Sequence, residues 1–319
     1  MRARPPIAWL ALTLAAVAAL ATLAPPRPLA AQEERTPGAA ERSTPGRCAA
    51  GITEEEAIGY VALPRGDVFC PLLADPKGLR SFVSYLRGDA DEFASNVASV
   101  GISDAFGLVR FGGRRAGNGV QVSLAGGVFA QFDLGTNSYD LINADYVIGL
   151  PVTLRVGQSS ARLRVYHQSS HLGDEFLLRA DRPERENLSF EALELLLSQD
   201  VGALRVYAGG EYFINREPRT LPLKLGHAGA ELRPQASVRF GTLGTARLVA
   251  AGDVKAVAER DWEVGVSARA GVEVGRAREG TVPSRRWTLL YEFYDGPSPY
   301  GQFFQNDVRL MGLGFHFTL

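Results

Sequence analysis

The chain has 319 residues, a formal net charge of −1 and 2 cysteines, and 46% of its residues are hydrophobic. No block of basic residues stands out, so nucleic acid is not expected as a partner. Beyond the amino-terminal apolar stretch, no segment approaches the ~20 continuous apolar residues that a membrane helix requires.

The amino terminus, residues 1–31, is predicted to be a secretory signal peptide. A basic start precedes an apolar run from Ile7 to Ala24, prolines then break any helix, and small residues end at Ala31, the expected cleavage point. A retained transmembrane anchor is the alternative, which the short and Ala-rich run disfavours. We therefore expect an exported protein.

Two short regions follow the signal peptide. Residues 32–47 are rich in Ala, Glu, Thr and Pro and are predicted to be a disordered linker. Residues 48–78 contain several prolines that exclude a long helix, and we interpret them as a compact periplasmic lead-in. Cys48 and Cys70 lie in this lead-in and are predicted to form one disulfide in an oxidising periplasm, with two unpaired thiols as the alternative.

From about Leu79 the hydrophobic pattern has a period of two, which is typical of β-strands. Between Trp262 and Val274, for example, apolar residues alternate with Glu, Gly, Ser and Arg. We predict about twelve strands, near 79–87, 103–112, 119–133, 142–155, 159–171, 187–199, 202–214, 224–240, 244–255, 261–275, 284–295 and 307–319. Because short turns alternate with longer loops, the fold class is an all-β transmembrane antiparallel β-barrel over residues 79–319, preceded by the short periplasmic segment. A soluble β-sandwich is the alternative.

The last strand carries an uninterrupted apolar face, composed of Met311, Leu313, Phe315, Phe317 and Leu319. This face resembles the carboxy-terminal targeting strand of outer-membrane barrels, although that pattern favours a terminal Phe where Leu319 stands here. The resemblance implies a location in the bacterial outer membrane, surrounded by its lipids, and the barrel-assembly machinery as a partner.

One segment places polar side chains on the face that should meet lipid. His167 and Ser169 continue the outward parity of Leu163 and Val165, and Glu191 has the outward parity of the next strand. Hydrocarbon cannot satisfy the hydrogen bonds of such groups, so their presence requires a reason. A histidine beside a serine can accept its proton, and a carboxylate can orient the histidine.

This His-x-Ser hairpin resembles the outer-membrane phospholipase A and the lipid A deacylase. The likeness implies Ser169 as the nucleophile, His167 as the base and Glu191 as the orienting residue of an acyl-ester hydrolase. Those families usually place Asn after the Ser, whereas Ser170 and His171 follow here, and the gap to Glu191 is longer. The run HQSSHLGDE (167–175), with Pro71 to Pro76, further resembles a bacterial outer-membrane family whose domain has no assigned function.

Other interpretations of this segment remain open. The polar residues could form a headgroup-level patch on a structural or narrow transport barrel, since polar groups near the interface cost only about 0–1 kcal/mol. His171, Asp174 and Glu175 are secondary candidates, and His167 or His171 with Glu175 could hold a metal ion. We predict no metal site and no cofactor. A need for calcium and the oligomeric state are left open.

Overall fold

The computed structural model describes residues 59–89, 96–113, 117–178, 186–234, 236–239, 244–275 and 286–318. Within these residues, 12 long antiparallel strands form a closed β-barrel. The last strand pairs with the first, in a register that runs from Phe317↔Ser81 to Arg309↔Asp89, and this pairing closes the ring. The predicted fold class and strand number are therefore confirmed. The signal peptide, the linker and Cys48 lie outside the described residues.

The barrel strands are β2 (Ser81–Asp89), β3 (Asn96–Gly112), β4 (Gly119–Asp133), β5 (Leu141–Val156), β6 (Ser159–Leu172), β7 (Leu188–Val201), β8 (Leu204–Glu217), β9 (Lys224–Leu232), β11 (Thr245–Val257), β12 (Glu263–Gly275), β13 (Arg286–Pro297) and β14 (Asp307–Thr318). Two short strands extend this sheet: β1 (Gly59–Ala62) pairs with the end of β3, and β10 (Val238–Arg239) pairs with β11. Helix α1 (Asp174–Leu177) and two 3₁₀ turns, Ala258–Arg260 and Gly301–Phe303, lie in loops. No helix among the described residues has the length and apolar character needed to cross a membrane.

Side chains alternate between an apolar outer wall and a polar lumen. On β6, Leu163 and Val165 are 44% and 49% exposed, whereas Arg162 and Arg164 are 7% and 8% exposed. Both arginines contact the carboxylate of Glu194 on β7, each at 2.7 Å. Because apolar side chains face outward and paired charges face inward, the outer surface of the barrel is compatible with the hydrocarbon core of a membrane.

Strand boundaries depart from the prediction in two places. β3 begins at Asn96 and not near 103, so much of the loop expected over 88–102 is strand. The inward residue Val97 is fully buried in an apolar cluster, so apolar residues occupy both faces there and hide the alternation. β9 ends at Leu232 and not at 240.

Residues 64–80 differ from the expected periplasmic lead-in, because they enter the barrel. We call them the lumen segment. Val68, Leu72 and Leu73 are at most 1% exposed, and Phe69 is 2% exposed. Phe69 lies between the guanidinium groups of Arg162 and Arg205, 4.9 and 4.8 Å from its ring centroid. The segment therefore fills space in the lumen of the barrel.

Polar side chains of the wall satisfy the backbone of the lumen segment. Arg155 donates to the carbonyl of Val68 at 2.8 Å, Arg269 donates to the carbonyl of Leu73 at 3.0 Å, and Glu231 accepts from the amide of Leu73 at 2.6 Å. Buried backbone groups need such partners. Cys70 is disulfide-bonded and buried, and its predicted partner, Cys48, lies outside the described residues.

An apolar cap lies at one end of the barrel. This end is opposite to the one at which β2 begins and β14 ends. Phe176 of α1 packs edge-on against Phe303 of the 3₁₀ turn, with ring centroids 6.0 Å apart. Asp145 on β5 joins this cap to the lumen segment, since it pairs with Lys77 and accepts from the amide of Gly301 at 3.0 Å. Lumen segment and cap together occupy the interior of the barrel.

Candidate functional site

Strand pairing brings the predicted residues into two adjacent rows on the outer wall. In one row His167 on β6 lies opposite Glu191 on β7, and Glu191 lies opposite Asn215 on β8. In the next row Tyr146 lies opposite Ser169, which lies opposite Ser189. Side chains directly opposite each other on antiparallel strands are close enough to interact.

His167 and Glu191 form a hydrogen-bonded pair that faces outward. Nδ1 of His167 is 2.8 Å from Oε1 of Glu191, and the two side chains are 40% and 41% exposed. A carboxylate only accepts, so it favours the tautomer in which Nδ1 carries the proton. That tautomer leaves the lone pair on Nε2, where a general base needs it.

Asn215 completes the row, and the sequence did not indicate it. Its side-chain amide donates a hydrogen bond to Glu191. A β-bulge between Glu191 and Ala192 skips Ile214 in the pairing, so Ile214 and Asn215 are both exposed on the outer face. Bulges re-aim side chains in this way and are frequent beside functional sites. An Asn at the end of the Tyr-Phe-Ile-Asn stretch (212–215) is a weak sequence signal, because the bulge cannot be read from alternation.

Ser169 shares the outward face of β6 with His167, two residues away. Among the hydrogen bonds of the described residues, none joins Ser169 to His167. The structure thus brings two of the three predicted catalytic residues into contact and places the third on the same face. Hydrogen bonds of catalytic groups are often long or absent without substrate.

A groove in the outer wall begins at His167. It crosses β5 and β4 at Ile148 and Gly126, which lie opposite each other, and reaches Asp104 on β3. The groove has a volume of about 440 Å³. Gly126 deepens it, because this position presents no side chain to the outer surface. Its walls are mostly apolar, and a carboxylate lies at the end remote from His167.

The secondary candidates lie away from the His167–Glu191 pair. His171 is exposed on β6, where its ring meets Tyr146 edge-on with centroids 5.8 Å apart. Asp174 and Glu175 are exposed in the first turn of α1. Within the described residues, no group of three or more His, Cys, Asp or Glu side chains is arranged to hold a metal ion.

The barrel is similar to solved outer-membrane proteins. The outer membrane phospholipase A from Escherichia coli matches with a TM-score of 0.51 and 13% identity, over 76% of this chain and 93% of that chain. The outer membrane phospholipase of Salmonella typhi, solved as a dimer with bound calcium, matches with a TM-score of 0.50 and 15% identity, over 76% of this chain and 94% of that chain. At these identities the likeness shows the fold, which is that of a bacterial outer-membrane protein.

Sequence comparison gives the family. No curated protein sequence matches this chain. The family model "Protein of unknown function (DUF1207)" matches residues 16–319, which is nearly the whole chain. The resemblance suggested by the HQSSHLGDE run is thereby confirmed, and this protein belongs to the DUF1207 family of bacterial outer-membrane barrels.

Proposed function

We propose that this outer-membrane barrel hydrolyses acyl esters of membrane lipids at the outer-wall row of His167, Glu191 and Ser169. The observation that carries the proposal is the 2.8 Å hydrogen bond between Nδ1 of His167 and Oε1 of Glu191 on a lipid-facing surface. A polar pair in this position is costly in hydrocarbon and orients the imidazole for proton transfer.

The reaction follows from the order of these groups. Oγ of Ser169 attacks the ester carbonyl carbon while its proton passes to Nε2 of His167. The histidine then gives that proton to the departing alcohol, and water hydrolyses the acyl-serine to release a fatty acid. Glu191 and Asn215 hold the imidazole, and a backbone amide or a water molecule stabilises the oxyanion.

The groove beside His167 supports a lipid as substrate. Its apolar walls at Ile148 and Gly126 can bury part of an acyl chain that arrives laterally from the membrane. The extended acyl chain would lie along the outer wall of the barrel, with its ester group at the His167 end of the groove. A narrow transport function is less well supported, because the lumen segment and the cap occupy the interior.

The test is hydrolysis of phospholipid and of lipopolysaccharide by the purified full chain in detergent micelles. Ser169→Ala should lower the rate by about 10³-fold or more, and His167→Asn by about 10²–10⁴-fold. Ser189→Ala is the matched control, because Ser189 lies opposite Ser169 on the same outer wall. Absence of hydrolysis in the parent protein, or equal losses in Ser169→Ala and Ser189→Ala, would refute the proposal.

A further inference from the structure

Arginine side chains accumulate in the lumen near the barrel end at which β2 begins and β14 ends. The short turns 157–158 and 202–203 lie at this end, as periplasmic turns of outer-membrane barrels do, and we call it the periplasmic end. The arginines are Arg80, Arg205, Arg233, Arg247, Arg269 and Arg286. Among the described residues, the carboxylates that pair with these arginines are those of Glu231, Glu273 and Glu292. Asp200 also lies nearby but pairs with Arg155 at 2.9 Å.

The pairing around Glu273 is incomplete. The guanidinium nitrogens of Arg247, Arg286 and Arg233 lie 3.0, 3.7 and 3.8 Å from its carboxylate oxygens. Nevertheless, Oε1 of Glu273 and Nε of Arg233 have no hydrogen-bond partner among the described residues. Arg233 also pairs with Glu231, so Glu273 is the shared partner of Arg247 and Arg286 and a second partner of Arg233, while some hydrogen-bonding atoms of the cluster remain unsatisfied.

The unsatisfied groups border a small buried cavity. Arg80, Arg233 and Arg286 line it, together with Pro71 of the lumen segment. Arg233 is 8% exposed, and Nε of Arg80 also lacks a partner among the described residues. Burial and the neighbouring charge of Arg269 lower the pKa of Arg80 to about 9. Buried cations without full compensation are costly unless an anion joins them.

We propose that the arginine cluster around Glu273 is an anion site that binds a phosphate group entering from the periplasmic end. Planar guanidinium groups bind phosphate oxygens in pairs, and three of them converge here, from the residue that follows β9 and from β11 and β13. A singly charged carboxylate such as Glu273 satisfies only part of this donor set. The phosphate could be free in solution or belong to a lipid headgroup, since both present the same oxygens.

The site must widen when it binds. The cavity is about 10 Å³, which is the space of about one water molecule and less than a phosphate requires. The side chains of Arg247 and Arg286 are 25% and 13% exposed, so they can turn outward and make room. Because Pro71 lines the cavity, a bound phosphate would also contact the lumen segment.

Isothermal titration of the full chain with inorganic phosphate and with glycerol 3-phosphate tests this proposal. The detergent should be a maltoside, which carries no phosphate, and ionic strength should be held constant with sodium chloride. We expect saturable phosphate binding, and Arg286→Gln should weaken it about tenfold or more. Tighter binding of glycerol 3-phosphate would identify a lipid headgroup as the source, whereas tighter binding of inorganic phosphate would identify a free anion.

Arg309→Gln is the matched control, because Arg309 is 56% exposed at the opposite barrel end and pairs with Asp295. If Arg286→Gln does not fold, Arg247→Gln gives the same test at a more exposed position. Lack of saturable binding at millimolar phosphate overturns the proposal. Equal weakening by Arg286→Gln and Arg309→Gln also overturns it, because that result would indicate a general charge effect.

Discussion

Truncation of Phe69 tests whether the lumen segment stabilises the barrel. Phe69 is 2% exposed and packs with Leu72, Leu196 and Tyr207. Its ring is also held between two guanidinium groups, at 4.8 and 4.9 Å. Phe69→Ala removes the buried ring, leaves a cavity and deprives both arginines of an aromatic partner.

We expect Phe69→Ala to lower the free energy of unfolding by about 3–5 kcal/mol, since a buried phenyl ring is lost and the surrounding wall cannot collapse into its place. Each lost cation–π contact adds about 0.5–2 kcal/mol to that range when it is desolvated. The measurement is urea unfolding of the protein in micelles. With a slope of about 3 kcal/mol per molar urea, the midpoint should fall by about 1 M or more.

Phe106→Ala is the matched control for this prediction. Phe106 is 59% exposed on the outer wall, where detergent chains can fill the space that the ring leaves. Its truncation should therefore shift the midpoint much less, because no cavity remains. Equal midpoints for the parent and Phe69→Ala would refute the reasoning, since they would mean that the lumen segment contributes no packing energy.

Three further predictions concern the cap, the outer-wall row and the last strand. Asp145→Asn should lower the free energy of unfolding by about 3–5 kcal/mol, because Lys77 then remains buried without its partner, whereas Asp295→Asn at the exposed pair with Arg309 should cost at most about 1 kcal/mol. Asn215→Ala should reduce ester hydrolysis less than Glu191→Gln, because Glu191 contacts His167 directly and Asn215 contacts Glu191. An equal or larger loss in Asn215→Ala would contradict these roles. Phe317→Ala should lower the yield of folded barrel in isolated outer membranes if the last strand directs assembly.

The sequence predicted the wall of the barrel well and its interior poorly. Period-two alternation follows directly from a wall with lipid on one side, and it located strands such as β6, where Leu163 faces outward and Arg164 inward. The lumen segment shows no such alternation of apolar and polar residues. Its buried Phe69 and Leu73 stand among prolines, and only the contacts with wall arginines explain why an irregular segment can be buried there.

The candidate site was predicted in part for a similar reason. Parity placed His167 and Glu191 on one face, and pairing of consecutive strands brought them together. Asn215 could not be predicted, because a bulge breaks the parity of β8 immediately before it. The arginine cluster was also missed, since its members come from several successive strands and from the lumen segment, and parity alone does not show which inward side chains meet.

The position of residues 64–80 has a consequence for how the chain is made into a barrel. These residues precede β2, yet the ring surrounds them once β14 has paired with β2. A closed wall of hydrogen-bonded strands offers a bulky peptide no sideways entrance. A sideways path is therefore open only while the seam between the first and last strands is unpaired, and after closure the path that remains runs through the end of the barrel at which β2 begins.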